Sequence, residues 1–145
     1  MRTRWRCTAR TLRPVEGRRQ KHLVLILARE LVANLETPTL VADDRGVLVF
    51  FNEAAEEVVG QTFAETGEMP LAEWGARFAP RTPDAEPMPP EQRPSGIALR
   101  ERRPVHEQLR VTSADGVERE LSVTAFPLFA HADEFVGVVT IFWRE

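Results

Sequence analysis

The chain has 145 residues, of which 43% are hydrophobic and 28% charged, and these values are ordinary for one globular domain. Its single cysteine, Cys7, excludes an intramolecular disulfide, and no set of cysteines and histidines has the spacing of a zinc site. The net charge of −3 divides unevenly: residues 1–21 carry eight basic side chains and one acid, a net +7, which leaves −10 for the rest. An acidic body with a short basic arm is not typical of nucleic-acid-binding domains, so we expect no nucleic-acid partner. The alternative is that the arginine-rich arm alone binds phosphate groups or nucleic acid.

Residues 1–20 are basic and lack hydrophobic periodicity, which predicts a disordered leader. The apolar run that follows, residues 23–28, is shorter than the roughly 7–15 apolar residues of a signal peptide and ends at charged residues. No window supplies the roughly 20 apolar residues of a membrane span. We therefore expect a cytoplasmic protein without a membrane partner.

Residues 21–37 have the period of an amphipathic helix. Its apolar residues recur every four positions, at Leu23, Leu27, Leu31 and Leu35. Pro38 ends the helix, because the residue before a proline is disfavoured in the helical region.

The remaining residues, 38–145, are predicted to form one domain that begins with a β-hairpin. Gly46 can adopt the positive φ of a bulged turn between two β-rich runs, residues 39–42 and 47–51. Asn52 is a good N-cap for a short helix, and Gly60 is a natural residue to end it.

The middle of the chain, residues 61–103, is predicted to be mostly irregular, since six of the eleven prolines fall between Pro80 and Pro94. Two short helices flank the proline-rich part, over residues 71–78 and 95–102. Alternating apolar and polar residues then predict three strands, over residues 105–112, 117–126 and 135–143. Five strands with helices between the hairpins make an α+β fold.

This order of elements resembles the PAS domain over about residues 31–144. The resemblance begins with residues 39–52, Thr-Leu-Val-Ala-Asp-Asp-Arg-Gly-Val-Leu-Val-Phe-Phe-Asn, followed by Ala54, Ala55 and Gly60. Later matching residues are Arg93-Pro94, Ala98, Leu99, Arg100, Asp115-Gly116, Pro127-Leu128 and Gly137-Val138-Val139. The resemblance implies a five-stranded antiparallel sheet in the spatial order 2-1-5-4-3, with short helices on one face and an N-terminal helix.

The resemblance also implies a non-catalytic sensory module, which signals by ligand-dependent or partner-dependent conformational change and self-association. We expect no effector domain after Trp143-Arg144-Glu145, and we therefore expect the signal to reach a separate effector protein or to pass through self-association. The alternative is a small-ligand-binding enzyme on a similar curved α+β sheet. That enzyme would need a polar residue pointing into the cavity, whereas the chain has no tyrosine and the inner faces of the last strands are predicted to be apolar.

No residue pattern indicates catalysis or a metal site. The three serines, Ser95, Ser113 and Ser122, have no histidine spaced to serve as a base. Haem-binding PAS domains use a histidine on the helix before the third strand, and that helix contains none here. Flavin photosensors of the family use a core cysteine, and Cys7 lies in the leader. The resemblance therefore implies neither cofactor and leaves an unknown, non-covalent small ligand as an open alternative.

Apolar side chains at inner positions are candidate residues for a ligand pocket. Residues of this kind more often form ordinary core, and core is the preferred interpretation. The candidate pocket consists of Phe50, Phe51, Trp74, Phe78, Leu99, Leu109, Val111, Leu121 and Val123.

The N-terminal helix and the sheet each have more apolar surface than a single contact uses. If Leu121, Val123, Val139 and Ile141 face the core, other apolar residues of the last strands face outward. The helix can then cover this outer face and also meet a second copy, which predicts a homodimer. The predicted interface consists of Leu23, Leu25, Ile26, Val32, Phe126, Val138 and Phe142. The alternative is a monomer whose helix folds over its own sheet.

Overall fold

The computed structural model describes residues 23–131 and 133–144. The predicted leader, residues 1–20, and the start of the predicted N-terminal helix lie outside the described residues. Helix α1 is described over residues 23–33, so it ends earlier than residue 37. Its last turn tightens, because the N–H groups of Asn34 and Leu35 donate to carbonyls three residues back. No helix in the described part of the chain is both long enough and apolar enough to span a membrane.

A β-hairpin follows, as the sequence predicts. Strand β1 spans Thr39–Asp43 and β2 spans Val47–Phe51. The Asp43 carboxylate accepts hydrogen bonds from the backbone N–H groups of Arg45 and Val47 and so fixes the turn. Gly46 has a φ of 80°, the left-handed conformation that this turn requires.

Short elements cross the inner face of the sheet between the hairpin and the last strands. They are α2 (Glu53–Val59), α3 (Phe63–Thr66), β3 (Met69–Pro70), α4 (Leu71–Ala76), a 3-10 helix (Pro90–Gln92) and α5 (Pro94–Glu101). The sequence predicts α2, α4 and α5 to within two residues at each end. It does not predict α3, β3 or the 3-10 helix, which are too short to show a periodicity.

Three long strands complete the sheet: β4 (Val105–Thr112), β5 (Glu118–Phe129) and β6 (Phe135–Arg144). The sheet is antiparallel, with the order β3-β2-β1-β6-β5-β4. The predicted order of the five main strands is confirmed, including the pairing of the first with the last, and the two-residue β3 adds a sixth strand at the edge.

The two faces of the sheet form separate hydrophobic clusters. On the inner face, Phe51, Trp74 and Phe142 belong to the largest cluster, and Val138 packs with Ala98 of α5 at one end. On the outer face, Val32 of α1 packs on Val41 and Val139. Helix α1 therefore covers one face of the sheet, while α2, α4 and α5 cover the other.

The faces predicted for β6 are wrong. Val123 of β5 pairs with Phe142, and directly paired residues share a face, so Phe142 lies inside with Val123. Val138 is fully buried on the same inner face, whereas Val139 and Ile141 lie beneath α1 on the outer face. The alternation along β6 is thus shifted by one residue from the prediction.

Candidate functional site

A cavity of about 450 Å³ lies between the inner face of the sheet and the helices that cross it. The sheet supplies an aliphatic floor, formed by Leu40, Leu109, Val111, Leu121 and Val123 together with the ring of Phe142. Helices α2 and α4 and the segment after α4 supply Val58, Val59, Leu71, Trp74 and Phe78 on the opposite side. Leu99 of α5 closes one flank. The interior is therefore suited to an apolar group.

The structure brings together most of the predicted pocket residues. The cavity is lined by Trp74, Phe78, Leu99, Leu109, Val111, Leu121 and Val123. Phe51 is buried in the core, with its ring centroid 5.5 Å from that of Trp74, and does not line the cavity. Phe50 lies on the outer face, where the Arg29 guanidinium sits 5.4 Å from its ring. The prediction that Phe50 and Phe51 line the pocket is wrong, because Phe50 faces α1 and Phe51 packs against Phe63 and Trp74 in the core.

Two buried polar atoms belong to residues of the cavity wall. Trp74 Nε1 and Thr140 Oγ1 have no hydrogen-bond partner within the described protein. Each side chain is about 95% buried, since each residue is 5% exposed. Buried donors and hydroxyls are nearly always paired in folded proteins, because an unpaired group loses its hydrogen bonds to water. Both atoms are also shielded from solvent, so they are unpaired groups within the packed part of the wall.

Charged residues collect where the cavity opens to solvent. The opening lies between the β1–β2 turn, the start of α4, and the 3-10 helix with α5. Its exposed lining residues include Arg45, Glu91 and Arg100, and half-buried Arg93 lies beside them. The sequence alone does not identify these residues as a site, because they lie on separate segments that only the folded chain brings together.

Arg93, which lies between the 3-10 helix and α5, links this part of the chain to α4 at the opening. Its Nε donates to the Met88 carbonyl at 3.0 Å, and its Nη1 donates to the Ala72 carbonyl of α4 at 3.1 Å. Partial burial lowers the pKa of the Arg93 guanidinium, and the nearby Glu91 carboxylate opposes that shift. The guanidinium remains charged, so a positive group is held in place at the mouth of an apolar cavity.

The described residues contain no cluster of three or more histidine, cysteine, aspartate or glutamate side chains that could hold a metal ion. His106 lies on the exposed side of β4, where its Nδ1 is 2.8 Å from the Thr124 hydroxyl. The cavity lining includes one carboxylate, Glu91, at the opening, and neither histidine nor cysteine. The arrangement can therefore accommodate a molecule and donate hydrogen bonds to it from the arginines at the opening.

The predicted interface residues separate into three groups. Leu23 and Ile26 are exposed on α1, whereas Leu25, Val32 and Phe126 pack in the cluster between α1 and its own sheet. Val138 and Phe142 are buried on the inner face and cannot belong to an interface on the outer one. Beyond the prediction, the exposed side of α1 and the turn after it also carry Leu27, Leu31 and Leu35.

The model of the family described as the PAS fold matches residues 32–144. A comparison with curated proteins found no match. Among solved structures, the PAS domain of a protein from Colwellia psychrerythraea is similar, with a TM-score of 0.59 and 13% identity over 84% of this chain and 97% of that one. The PAS domain of nitrogen regulation protein NR(II) from Vibrio parahaemolyticus has a TM-score of 0.57 and 18% identity over 82% and 98%.

A third similar structure is the light-state dimer of the fungal blue-light photoreceptor Vivid, with a TM-score of 0.56 and 16% identity over 77% of this chain and 79% of that one. At such identities these likenesses show the fold alone. The family model, in contrast, spans more than half of the sequence and includes every strand of the sheet. The chain therefore belongs to the PAS family.

Proposed function

We propose that this chain is a sensory module that binds a small ligand in the cavity, and the cavity is the observation that carries the proposal. Its volume of about 450 Å³ falls within the roughly 300–1,000 Å³ of small-molecule sites. Protein interiors are otherwise close-packed, with few voids larger than a water molecule. A space of this size favours a binding site over the ordinary core that the sequence alone suggests.

Similar PAS domains in solved structures come from proteins named for sensing and regulation. One belongs to a two-component sensor histidine kinase, another to nitrogen regulation protein NR(II), and a third to a fungal blue-light photoreceptor. These names support a sensory role in preference to catalysis. The alternative enzyme lacks support, because Glu91 at the opening is the one acidic residue of the lining.

Strand β1 connects the cavity with α1. Its successive side chains point to opposite faces of the sheet. Leu40 lines the cavity, and its neighbour Val41 packs under Val32 of α1. A ligand that displaces Leu40 would therefore move β1 against α1, and in this way occupancy of the inner face would reach the outer face.

The ligand proposal can be tested with the neutral fluorescent dye Nile red as a probe of the cavity. We expect the purified full chain to bind the dye with saturable, one-to-one fluorescence enhancement. Val111→Phe adds bulk to the cavity floor and should abolish this binding, whereas Val117→Phe, at an exposed position away from the cavity, should not. Equal binding by both variants, or no binding by the unmodified chain, would contradict the proposal.

We also propose that the module forms a homodimer through the exposed side of α1. Leu27 and Leu31 are 59% and 66% exposed, although large apolar side chains on a helix are normally covered. Two copies related by a two-fold axis would bury this stripe on both. The signal would then pass through the dimer or to a separate effector protein.

Sedimentation of the full chain at micromolar concentration tests this assembly. We expect a dimer, and we expect Leu27→Gln combined with Leu31→Gln to give a folded monomer. The control is Val117→Gln, which changes a similarly exposed apolar residue outside α1 and should leave the dimer intact. A monomeric unmodified chain, or a dimer that persists in the double variant, would contradict the proposed dimer.

We propose that the protein binds neither haem nor flavin. Helix α5, which precedes the third main strand, contains no histidine, and the described core contains no cysteine. The purified protein should be colourless, and stoichiometric absorption in the visible bands of either group would refute this. Native mass spectrometry of the same sample would report any retained ligand and the number of copies together.

We further propose a cytoplasmic location.

A further inference from the structure

The cavity opening has an excess of positive charge. Its lining includes three arginines, Arg45, Arg93 and Arg100, and a single carboxylate, Glu91. Glu101, which does not line the cavity, accepts a hydrogen bond from Arg100 Nη2 at 3.3 Å, so the charge of Arg100 is partly compensated. Arg45 and Arg93 form no ion pair with any described residue. Two guanidinium groups are therefore available for a partner.

Of these two arginines, Arg93 is the more favourable site for a negatively charged partner, because its charge is half-buried. Two of its N–H groups are used on the carbonyls of Met88 and Ala72, which position the planar head without neutralising it. A guanidinium has five N–H donors, so donors remain on Nη1 and Nη2. Partial removal of a charge from water is unfavourable unless an opposite charge accompanies it.

Arg45 is placed on the other side of the same gap. A Cβ added to its neighbour Gly46 would lie 3.0 Å from Leu99 Cδ2, so the β1–β2 turn contacts α5 directly. Arg45 and Arg93 thus approach the opening from the turn and from the start of α5. Below them the accessible wall is mostly apolar.

We propose that the cavity binds a small organic anion whose carboxylate lies at the opening against Arg93 and Arg45 and whose apolar body enters the cavity. This inference rests on the proposed ligand-binding function and names the chemical class of the ligand. Guanidinium and carboxylate match as planar, two-pronged partners, which gives short charge-assisted hydrogen bonds. The apolar body gains the free energy of leaving water on the aliphatic floor.

Three unbranched probes with ten carbon atoms each test the charge requirement: decanoate, decanol and decylamine. Each is titrated into the full chain by calorimetry at neutral pH and also used to displace Nile red. We expect decanoate to bind about 10-fold or more tightly than decanol, since a charge-assisted hydrogen bond of about 1.5–3 kcal/mol is worth one to two orders of magnitude. Decylamine should bind most weakly, because its ammonium meets the arginines.

Two variants shift the charge at the opening in opposite directions without touching the fold contacts described above. Arg45→Gln should weaken decanoate binding about 3- to 10-fold and leave decanol unchanged. Glu91→Gln should strengthen decanoate binding about 2- to 3-fold, because it removes a competing negative charge. Arg77→Gln, at an exposed arginine outside the cavity lining, is the matched control and should change neither affinity.

Arg93→Lys tests the geometry of the anchor. It keeps the positive charge but loses the planar fork, so we expect decanoate affinity to fall at least 10-fold while the thermal unfolding transition remains cooperative. If Nile red binds the cavity but decanoate binds no more tightly than decanol, the anion inference is wrong and the sensory proposal stands. If Nile red does not bind to the unmodified chain, the sensory proposal itself fails.

Discussion

Asn52 shows how much one side chain can connect. Its Oδ1 accepts hydrogen bonds from the N–H groups of Ala55 and Thr39, at 3.0 and 3.1 Å. Its Nδ2 lies 2.9–3.2 Å from the carbonyls of Val32, Leu35 and Thr37, so two hydrogens serve three acceptors at the end of α1. The sequence predicts the N-cap, which is confirmed. It gives no indication of the other contacts, because they join residues 13 to 20 positions apart.

We expect Asn52→Ala to lower the free energy of unfolding by about 3 kcal/mol or more, since it removes an N-cap and leaves several buried backbone groups unpaired. Asn52→Asp keeps the acceptor that caps α2 but cannot donate to the three carbonyls. Hydrogen exchange should therefore show selective loss of protection in α1 for Asn52→Asp and a general loss for Asn52→Ala. Equal protection of α1 in the aspartate variant and the unmodified chain would contradict this account.

Thr140 and Thr39 lie on adjacent strands, are both buried, and differ in their hydroxyl partners. Thr39 Oγ1 donates to the Thr37 carbonyl at 2.8 Å, whereas Thr140 Oγ1 has no partner in the described protein. Replacement of an unpaired buried hydroxyl by a methyl group should stabilise the ligand-free protein, and replacement of a paired one should destabilise it.

Thr140→Val should accordingly raise the free energy of unfolding by about 1 kcal/mol, and Thr39→Val should lower it by about 1 kcal/mol. Urea denaturation of both variants checks the signs. Destabilisation by both substitutions to the same extent would mean that the Thr140 hydroxyl is paired in solution.

Among the elements, the long strands and the first hairpin could be predicted from the sequence because their signals are local. Gly46 has the φ of 80° expected for its turn, and alternation in β4 is clean enough to give both its limits and its inner face. The spatial strand order came from the PAS resemblance, because the pattern of one strand does not specify its neighbours. That resemblance rested on turn and cap residues, which the structure places in those roles.

The faces of β6 could not be predicted, because the strand is apolar on both sides. Phe142 and Val138 meet α4 and α5 across the inner face, while Ile141 and Val139 meet α1 across the outer face. With a helix on each side, both faces need apolar residues and the alternation disappears. The mouth of the cavity was missed for a related reason: Arg93 and Arg45 come from separate segments that only the folded chain brings together.

The pairing of β1 with β6 joins the two hairpin regions of the sheet, and Gly137 lies in this seam opposite Asp43. A Cβ at Gly137 would lie 2.1 Å from the Ala42 carbonyl oxygen, closer than any real contact. Backbone atoms must therefore move to accommodate even a methyl group. Nothing similar surrounds Gly116, where a Cβ would meet no atom within 4 Å.

We expect Gly137→Ala to destabilise the protein by about 3 kcal/mol, with loss of hydrogen-exchange protection concentrated in β1 and β6. Gly116→Ala is the control: its φ of 81° adds backbone strain without a clash, so about 1–2 kcal/mol is expected. Thermal melts of the two variants rank the effects. A smaller destabilisation by Gly137→Ala than by Gly116→Ala would mean that the backbone between β1 and β6 adjusts to a methyl group more easily than its geometry indicates.

At the scale of the whole molecule, α1 is part of the folding unit. The predicted domain begins at residue 38, after this helix, whereas the PAS family model begins at residue 32 within it. Val41 and Val139, both buried, are covered by Val32 from α1. A chain that begins at residue 38 exposes this outer apolar face and also removes all three carbonyls that bind Asn52 Nδ2.

We therefore expect a fragment of residues 38–145 to aggregate or to unfold at least 10 °C below the full chain, because a loss of about 2 kcal/mol or more shifts the midpoint of a domain of this size by several degrees per kcal/mol. A fragment of residues 23–145 is the control and should melt close to the full chain. Differential scanning calorimetry and light scattering distinguish the two. Equal midpoints for both fragments would show that α1 adds nothing to the fold.

The cavity draws its walls from both sides of the β1–β6 seam. Leu40 and Val58 come from the first half of the chain, and Leu121 and Phe142 come from the second. A molecule that fills the space touches both halves and must leave before they separate. At a ligand concentration 100 times the dissociation constant, such linkage is worth about 2.7 kcal/mol. In a cell, proteases that degrade the opened chain would then remove the empty protein faster than the filled one, so the abundance of the protein would itself record the supply of its ligand.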